Sequence, residues 1–196
     1  MKLDGLVAVI TGAGRGIGQA IALAYAKEGA RLALVARNTV ELESTAGQAR
    51  DLGVPACVIP TDVTDQLQID QMVEQVIDQY SVIDILVNNA GVPGPVGALQ
   101  ENNPAYWIQT IQVNLIGTYL CCRAVLPAMV ERNQGTIINL SGGGGLSASP
   151  HMSAYCSSKA AVVRLTEGLA MELAQTNVHV NALGPGTIHT RMLEEI

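Results

Sequence analysis

The chain has 196 residues, of which 48% are hydrophobic and only 14% charged, with a net charge of −6. That length supports one sizeable core rather than two, and so apolar a composition suits a sheet covered by helices on both faces. The negative balance argues against nucleic-acid or anionic-membrane partners, no uninterrupted apolar run reaches about 18 residues, and the N-terminus carries no apolar signal-peptide core.

Leu6–Ile10 reads as a buried strand, and a helix over Ile17–Glu28 follows, with Gly29 just past its end. Arg31–Val35 is a second strand and Thr39–Asp51 a second helix, with Thr39 as a candidate N-cap. Ala56–Pro60 is a third strand, Thr64 and Asp65 cap a helix running to Tyr80, and Ile83–Val87 is a fourth strand. After a loop over residues 90–103, Pro104 opens a long helix reaching about Arg132. Pro127 predicts a kink in it or an end before its last turn. Thr136–Leu140 is a fifth strand, four glycines follow at 142–145, Ser153–Ala174 is a helix, and Val178–Leu183 is a sixth strand. This alternation predicts an α/β, Rossmann-like, doubly wound parallel sheet of six strands with helices on both faces. Residues 1–196 read as a single domain.

Between the first strand and first helix lies Thr11-Gly12-Ala13-Gly14-Arg15-Gly16-Ile17-Gly18. Gly12, Gly16 and Gly18 permit a tight turn and let backbone N–H groups approach a pyrophosphate at a helix N-terminus. The spacing differs from Gly-x-Gly-x-x-Gly, but its place after a strand and before a helix points to a dinucleotide. The second strand ends in Val35-Ala36-Arg37-Asn38, with no carboxylate to grip a free ribose 2′-hydroxyl. Arg37, together with Arg15, is suited to a 2′-phosphate, so NADP is expected as cofactor ahead of NAD.

Tyr155 and Lys159 are four residues apart in the helix over 153–174, a spacing that puts both on one face. An ammonium beside a phenol would lower its pKa from about 10 toward the range useful for general acid–base work. Cys57, Cys121, Cys122 and Cys156 form neither a Cys-x-x-Cys motif nor a metal-ligand spacing. They read as reduced core thiols of a cytoplasmic protein, and no metal site is expected. His151, Tyr106 and Trp107 read as loop and packing residues rather than as chemistry.

Taken together, these features make the chain resemble the short-chain dehydrogenase/reductase family over essentially its whole length. Further matches come in order: Asp62-Val63 after the third strand, Asn88-Asn89-Ala90-Gly91 after the fourth, Asn114 in Val113-Asn114-Leu115, and Pro185-Gly186 with Thr190 at the end. The resemblance implies hydride exchange between a nicotinamide and a small-molecule carbonyl or alcohol, with Tyr155 moving the proton and Lys159 supporting it. It also implies Asp62 against the adenine, Asn89, Ala90 and Gly91 along the cofactor, Asn114 in a proton relay, and Pro185, Gly186 and Thr190 beside the nicotinamide.

Two departures from the pattern stand out. The family's substrate-orienting serine usually lies thirteen residues before the tyrosine, where this chain has Gly142; Ser141 is the expected substitute if the loop carries one extra residue. Family members also continue well beyond the position of Thr190, through a segment that closes the substrate pocket and helps form a homodimer or homotetramer. Shortness at that end leaves a second reading, a catalytically weak dinucleotide-binding sensor or assembly subunit, or a fragment of an active reductase. An epimerase or dehydratase acting on nucleotide sugars shares the Tyr-Lys pair but needs a large second domain. A serine hydrolase lacks its Gly-x-Ser-x-Gly elbow here.

Overall fold

The computed structural model describes residues 1–186 and 188. Six parallel strands, β1 (Val7–Thr11), β2 (Arg31–Ala36), β3 (Ala56–Pro60), β4 (Ile85–Asn88), β5 (Gly135–Leu140) and β6 (Val178–Leu183), lie in the order β3-β2-β1-β4-β5-β6. The order turns back at β1 and β4, which pair in the register Ala8↔Ile85 to Ile10↔Val87. An open sheet of this kind places its ligand site outside the strands' carboxyl ends at such a switch point.

The two-residue period of a strand divides the core. Val7 and Val9 of β1, with Ala33 and Val35 of β2, face one helical layer; Ala8, Ile10, Leu32 and Leu34 face the other. The second layer holds α1 (Gly16–Lys27) and α2 (Thr39–Asp51), whose buried contacts are mostly small, Ala22, Ala26, Ala46 and Ala49, with Leu42 the large one. The first layer holds α3 (Gln66–Tyr80), α4 (Pro104–Ile111), α5 (Gly117–Glu131) and α6 (Ser153–Glu172).

Local chemistry sets the helix starts. Asp65 caps α3 by accepting from Leu67 N and Gln68 N, as expected. Asn38, not Thr39, caps α2: its side-chain oxygen accepts from Val40 N (3.1 Å) and Glu41 N (3.3 Å). Thr39 lies inside the first turn instead. The long helix is continuous from Pro104 to Glu131, and a five-residue π turn at Gln112–Ile116 joins α4 to α5. It passes through Pro127 without ending early. By length and mean hydropathy this 28-residue span is apolar enough to cross a membrane. Half of its apolar stretch is buried against the rest of the fold, which makes it a core helix.

Candidate active site

The cofactor side of the site is made by four strand ends. A cleft of about 520 Å³ opens where β1, β2, β3 and β4 finish, lined among others by Gly12, Arg15, Gly16, Ile17, Arg37, Asp62, Val63, Asn89, Ala90 and Gly91. Glycine is forced at the loop by close approach. A Cβ on Gly18 would stand 2.2 Å from Gly12 O and 2.5 Å from Asn89 Nδ2, so α1 is drawn hard against the turn. No side chain caps the N-terminus of this 12-residue helix, leaving its first N–H groups directed at the cleft.

Thr11, at the end of β1, fastens the two halves of the cleft together. Its buried Oγ1 accepts from Asn89 N and Ala90 N, both at 3.0 Å, and donates to Val87 O (3.3 Å). Asn89 Nδ2 donates in return to Thr11 O (2.9 Å) and Gly12 O (3.2 Å). One residue earlier, Asn88 Nδ2 donates to Asn139 Oδ1 (2.9 Å), tying β4 to β5. Asp62 accepts from Thr64 N (2.9 Å) and Thr64 Oγ1 (2.8 Å), which fixes the turn after β3.

The other side of the candidate site is carried by α6. Tyr155 and Lys159 share a face, with Lys159 Nζ 5.9 Å from the centre of the phenol ring. Lys159 is 5% exposed and donates to Leu140 O at 2.7 Å. Burial pushes its pKa down to about 8. A Cβ on Gly91 would stand 3.6 Å from Lys159 Nζ and 3.2 Å from Asn114 Oδ1, so Gly91 is the partition between the cleft and these polar groups.

The expected lowering of the Tyr155 pKa is not found. Burial raises it above the ordinary value, with the Cys156 thiol alongside adding to the rise. Burial of the phenol dominates, and the Lys159 ammonium is engaged on the Leu140 carbonyl.

Asn114 sits in the π turn, fully buried. Its side chain forms a two-way clasp on Val92, accepting from Val92 N (2.8 Å) and donating to Val92 O (3.0 Å), and donates to Ser158 Oγ (3.0 Å). Ser158 in turn donates to Tyr155 O (2.7 Å). The amide thus fixes the loop after β4 to the helix bearing Tyr155 and Lys159.

The sequence model of the short chain dehydrogenase family matches residues 6–196. The chain belongs to the short-chain dehydrogenase/reductase family. It is 39% identical to the 3-oxoacyl-(acyl-carrier-protein) reductase FabG of Thermotoga maritima, over its full length and 79% of that protein. A solved structure of NAD+-bound xylitol dehydrogenase superposes with a TM-score of 0.93 at 36% identity, covering 95% of this chain and 72% of that one. An actinorhodin polyketide ketoreductase solved with NADPH gives 0.94 at 38% identity, covering 97% and 73%. The chain is therefore an oxidoreductase of a family that works with pyridine nucleotides.

Within this short-chain dehydrogenase/reductase, the serine position is the clearest departure. Gly142 has φ 68° and ψ 176°, a region essentially reserved for glycine, and a Cβ there would lie 2.6 Å from Tyr155 Oη. Ser141, the expected substitute, makes its side-chain hydrogen bonds to backbone carbonyls. It is 1% exposed, and its Oγ is directed at Leu183 O and Gly142 O, both at 3.4 Å. Ser141 N pairs with Leu183 O (2.9 Å), which keeps the residue in register with the end of β6.

Pro185 and Gly186 follow Gly184, whose Cβ would lie 3.6 Å from Gly142 O, so they leave the sheet beside the glycine-rich loop. Thr190 lies outside the described residues. Two residues, one behind the cleft and one lining it, were given no role of their own by the sequence reading. Thr11 was signalled only by a hydroxyl at the strand end, and Glu41, which pairs with Arg15 at 3.3 Å, is 26 residues from its partner. Trp107 Nε1 donates to Ser153 Oγ (3.1 Å), a packing tie between α4 and α6 as expected.

Proposed function

We propose that the chain exchanges a hydride between NADP(H) and a small-molecule carbonyl/alcohol pair, with Tyr155 moving the proton at the substrate oxygen. The observation that carries this reading is the buried Lys159 ammonium, on the same helix face as Tyr155 and separated from the cleft only by Gly91. The cleft fits a pyridine nucleotide on its own geometry. The glycine turn leaves no room for side chains, the N-terminus of α1 is uncapped toward it, and Arg37 stands exposed at the end of β2 with no ion-pair partner among the described residues.

When bound, the nucleotide supplies or takes up the hydride. The chain's own residues do the rest. Tyr155, held protonated by burial, is poised to donate its phenolic proton to a carbonyl oxygen as it gains negative charge. Lys159 supplies a fixed positive charge close to the phenolate that donation leaves, and in a buried site that charge is weakly screened. Asn114 acts through the clasp on Val92 and Ser158, holding the loop after β4 and α6 in register. Substrate orientation falls to the glycine-rich loop and the phenol, since Ser141 is turned away.

The test is Tyr155→Phe. NADPH oxidation driven by a panel of ketones and 3-oxoacyl thioesters should fall at least about a hundredfold, while NADPH binding, read by fluorescence titration, stays within a factor of about two of the parent. Turnover that survives the substitution overturns the role given to Tyr155. Binding without any turnover in the unmodified chain favours the sensor reading.

A further inference from the structure

The cleft is lined by a carboxylate as well as two guanidinium groups. Glu41, in the first turn of α2, is seated on the glycine loop: a Cβ on Gly14 would come 2.8 Å from Glu41 Cβ, and Thr45 Oγ1, on the same helix face, donates to Gly14 O (3.3 Å). From there Glu41 Oε1 accepts from Arg15 Nη1 at 3.3 Å. Arg15, Arg37 and Glu41 line one cleft. Asn38, also in the lining, has its side-chain oxygen engaged on two backbone N–H groups of α2.

We infer that Glu41 sets the strength of nucleotide discrimination by holding Arg15 in an ion pair, so that Arg37 alone meets a 2′-phosphate. This rests on the proposed reading of the cleft as an NADP(H) site and deepens it. A 2′-phosphate that recruits Arg15 must first displace a carboxylate from it and then sit close to that carboxylate. Both effects act only on the phosphorylated nucleotide, because NAD(H) presents neutral hydroxyls at the same ribose. The pair is partly exposed, with side chains 54% and 30% accessible, so the exchange is modest in size and open to experiment.

The experiment is fluorescence titration with NADPH and with NADH, and calorimetric titration with adenosine 2′,5′-bisphosphate against 5′-AMP, on the unmodified chain and on Glu41→Gln, Arg15→Ala, Arg37→Ala and the Glu41→Gln/Arg15→Ala double variant. Melting profiles check that each variant is folded, and Glu41→Ala serves as a second replacement. Glu41→Gln should tighten NADPH and the bisphosphate about fivefold, with NADH and 5′-AMP changed less than about twofold, and the gain should vanish when Arg15 is already Ala. An unchanged or reduced NADPH preference in Glu41→Gln overturns the inference. So does a full gain that persists without Arg15, which would make Glu41 a direct repulsive group instead. Arg37→Ala separates the two layers: if it leaves the NADPH/NADH ratio unchanged, the NADP reading itself fails, whatever Glu41 does.

Discussion

Gly142 shows how a single backbone position can exclude a side chain from a site. Its φ of 68° with ψ of 176° costs a non-glycine residue about 1–3 kcal/mol, and the 2.6 Å approach of a new Cβ to Tyr155 Oη adds a steric displacement of the phenol. Putting serine here to restore the usual pattern should therefore impair the site. Gly142→Ser is expected to lower the urea midpoint and to cut kcat for ketone reduction tenfold or more on the same argument, about 1.4 kcal/mol of lost transition-state stabilisation. Faster turnover in Gly142→Ser would show that the loop relaxes to accept a hydroxyl donor. Lys159 makes the other residue-scale prediction. Burial brings its pKa from the ordinary 10.5 to about 8, so across that interval the unfolded chain holds a proton that the folded chain has released. Its contribution to stability accordingly rises with pH above about 8, and below that the fold carries the whole cost of burying an ammonium. Relative to Lys159→Met, the parent should gain about 2 kcal/mol between pH 7 and 9.5, measured by urea melts at both values. A pH-independent gap would overturn the assignment. The Tyr155–Lys159 pair was legible because four-residue spacing on a helix is a local fact. The direction of the Tyr155 shift was not, since it depends on where the ammonium points and on how dry the phenol is, and neither is written in the spacing.

At the scale of elements, the decisive connections are those between strand ends and loops. Thr11 terminates β1 and uses one oxygen to satisfy the N–H groups of Asn89 and Ala90 while its proton goes to Val87 O. Thr11→Val keeps the shape and removes the acceptor, leaving two poorly solvated amides; the expected loss is about 2–4 kcal/mol, whereas Thr11→Ser should stay within about 1 kcal/mol because the oxygen remains. Equal losses for the two variants, in denaturant melts, would mean that the methyl group rather than the hydroxyl carries the effect. Element boundaries were readable where punctuation is local: the third and sixth strands and the second helix fall on the residues the sequence suggests. The π turn at Gln112–Ile116 was invisible because nothing in Gln112-Val113-Asn114-Leu115-Ile116 breaks helical period. It is held by the clasp of Asn114 on Val92, 22 residues away. Asn38 displaced Thr39 as cap for a simpler reason: either type can cap, and one residue of phase decides which side chain reaches the free N–H groups.

At the scale of the whole molecule, the alternation of short apolar runs with helical segments fixes a parallel sheet with two covered faces, and the observed order β3-β2-β1-β4-β5-β6 puts the switch point between the glycine turn and the Asn88–Gly91 segment. Fold and cofactor cleft were legible together because both depend on residues next to strand ends. Glu41 was not, because its meaning arises only where α2 crosses the glycine loop. The chain spans between about seven and eight tenths of the length of the relatives compared above, and the cleft, with Tyr155, Lys159 and Asn114, lies wholly within the described residues.

The Thr11 fastening has a further consequence. With Asn89 and Ala90 already bonded across the switch point and Asn89 bonded back to Thr11 and Gly12, the frame around the cleft needs no ordering when a nucleotide arrives. On the proposed reading the side-chain entropy lost on association falls mainly on Arg37, exposed and without an ion-pair partner among the described residues, with about 2 kcal/mol of rotamer freedom to lose. On the proposed NADP(H) reading, recognition combines a pre-bonded cradle for what all such nucleotides share with one exposed arm for the group that distinguishes them.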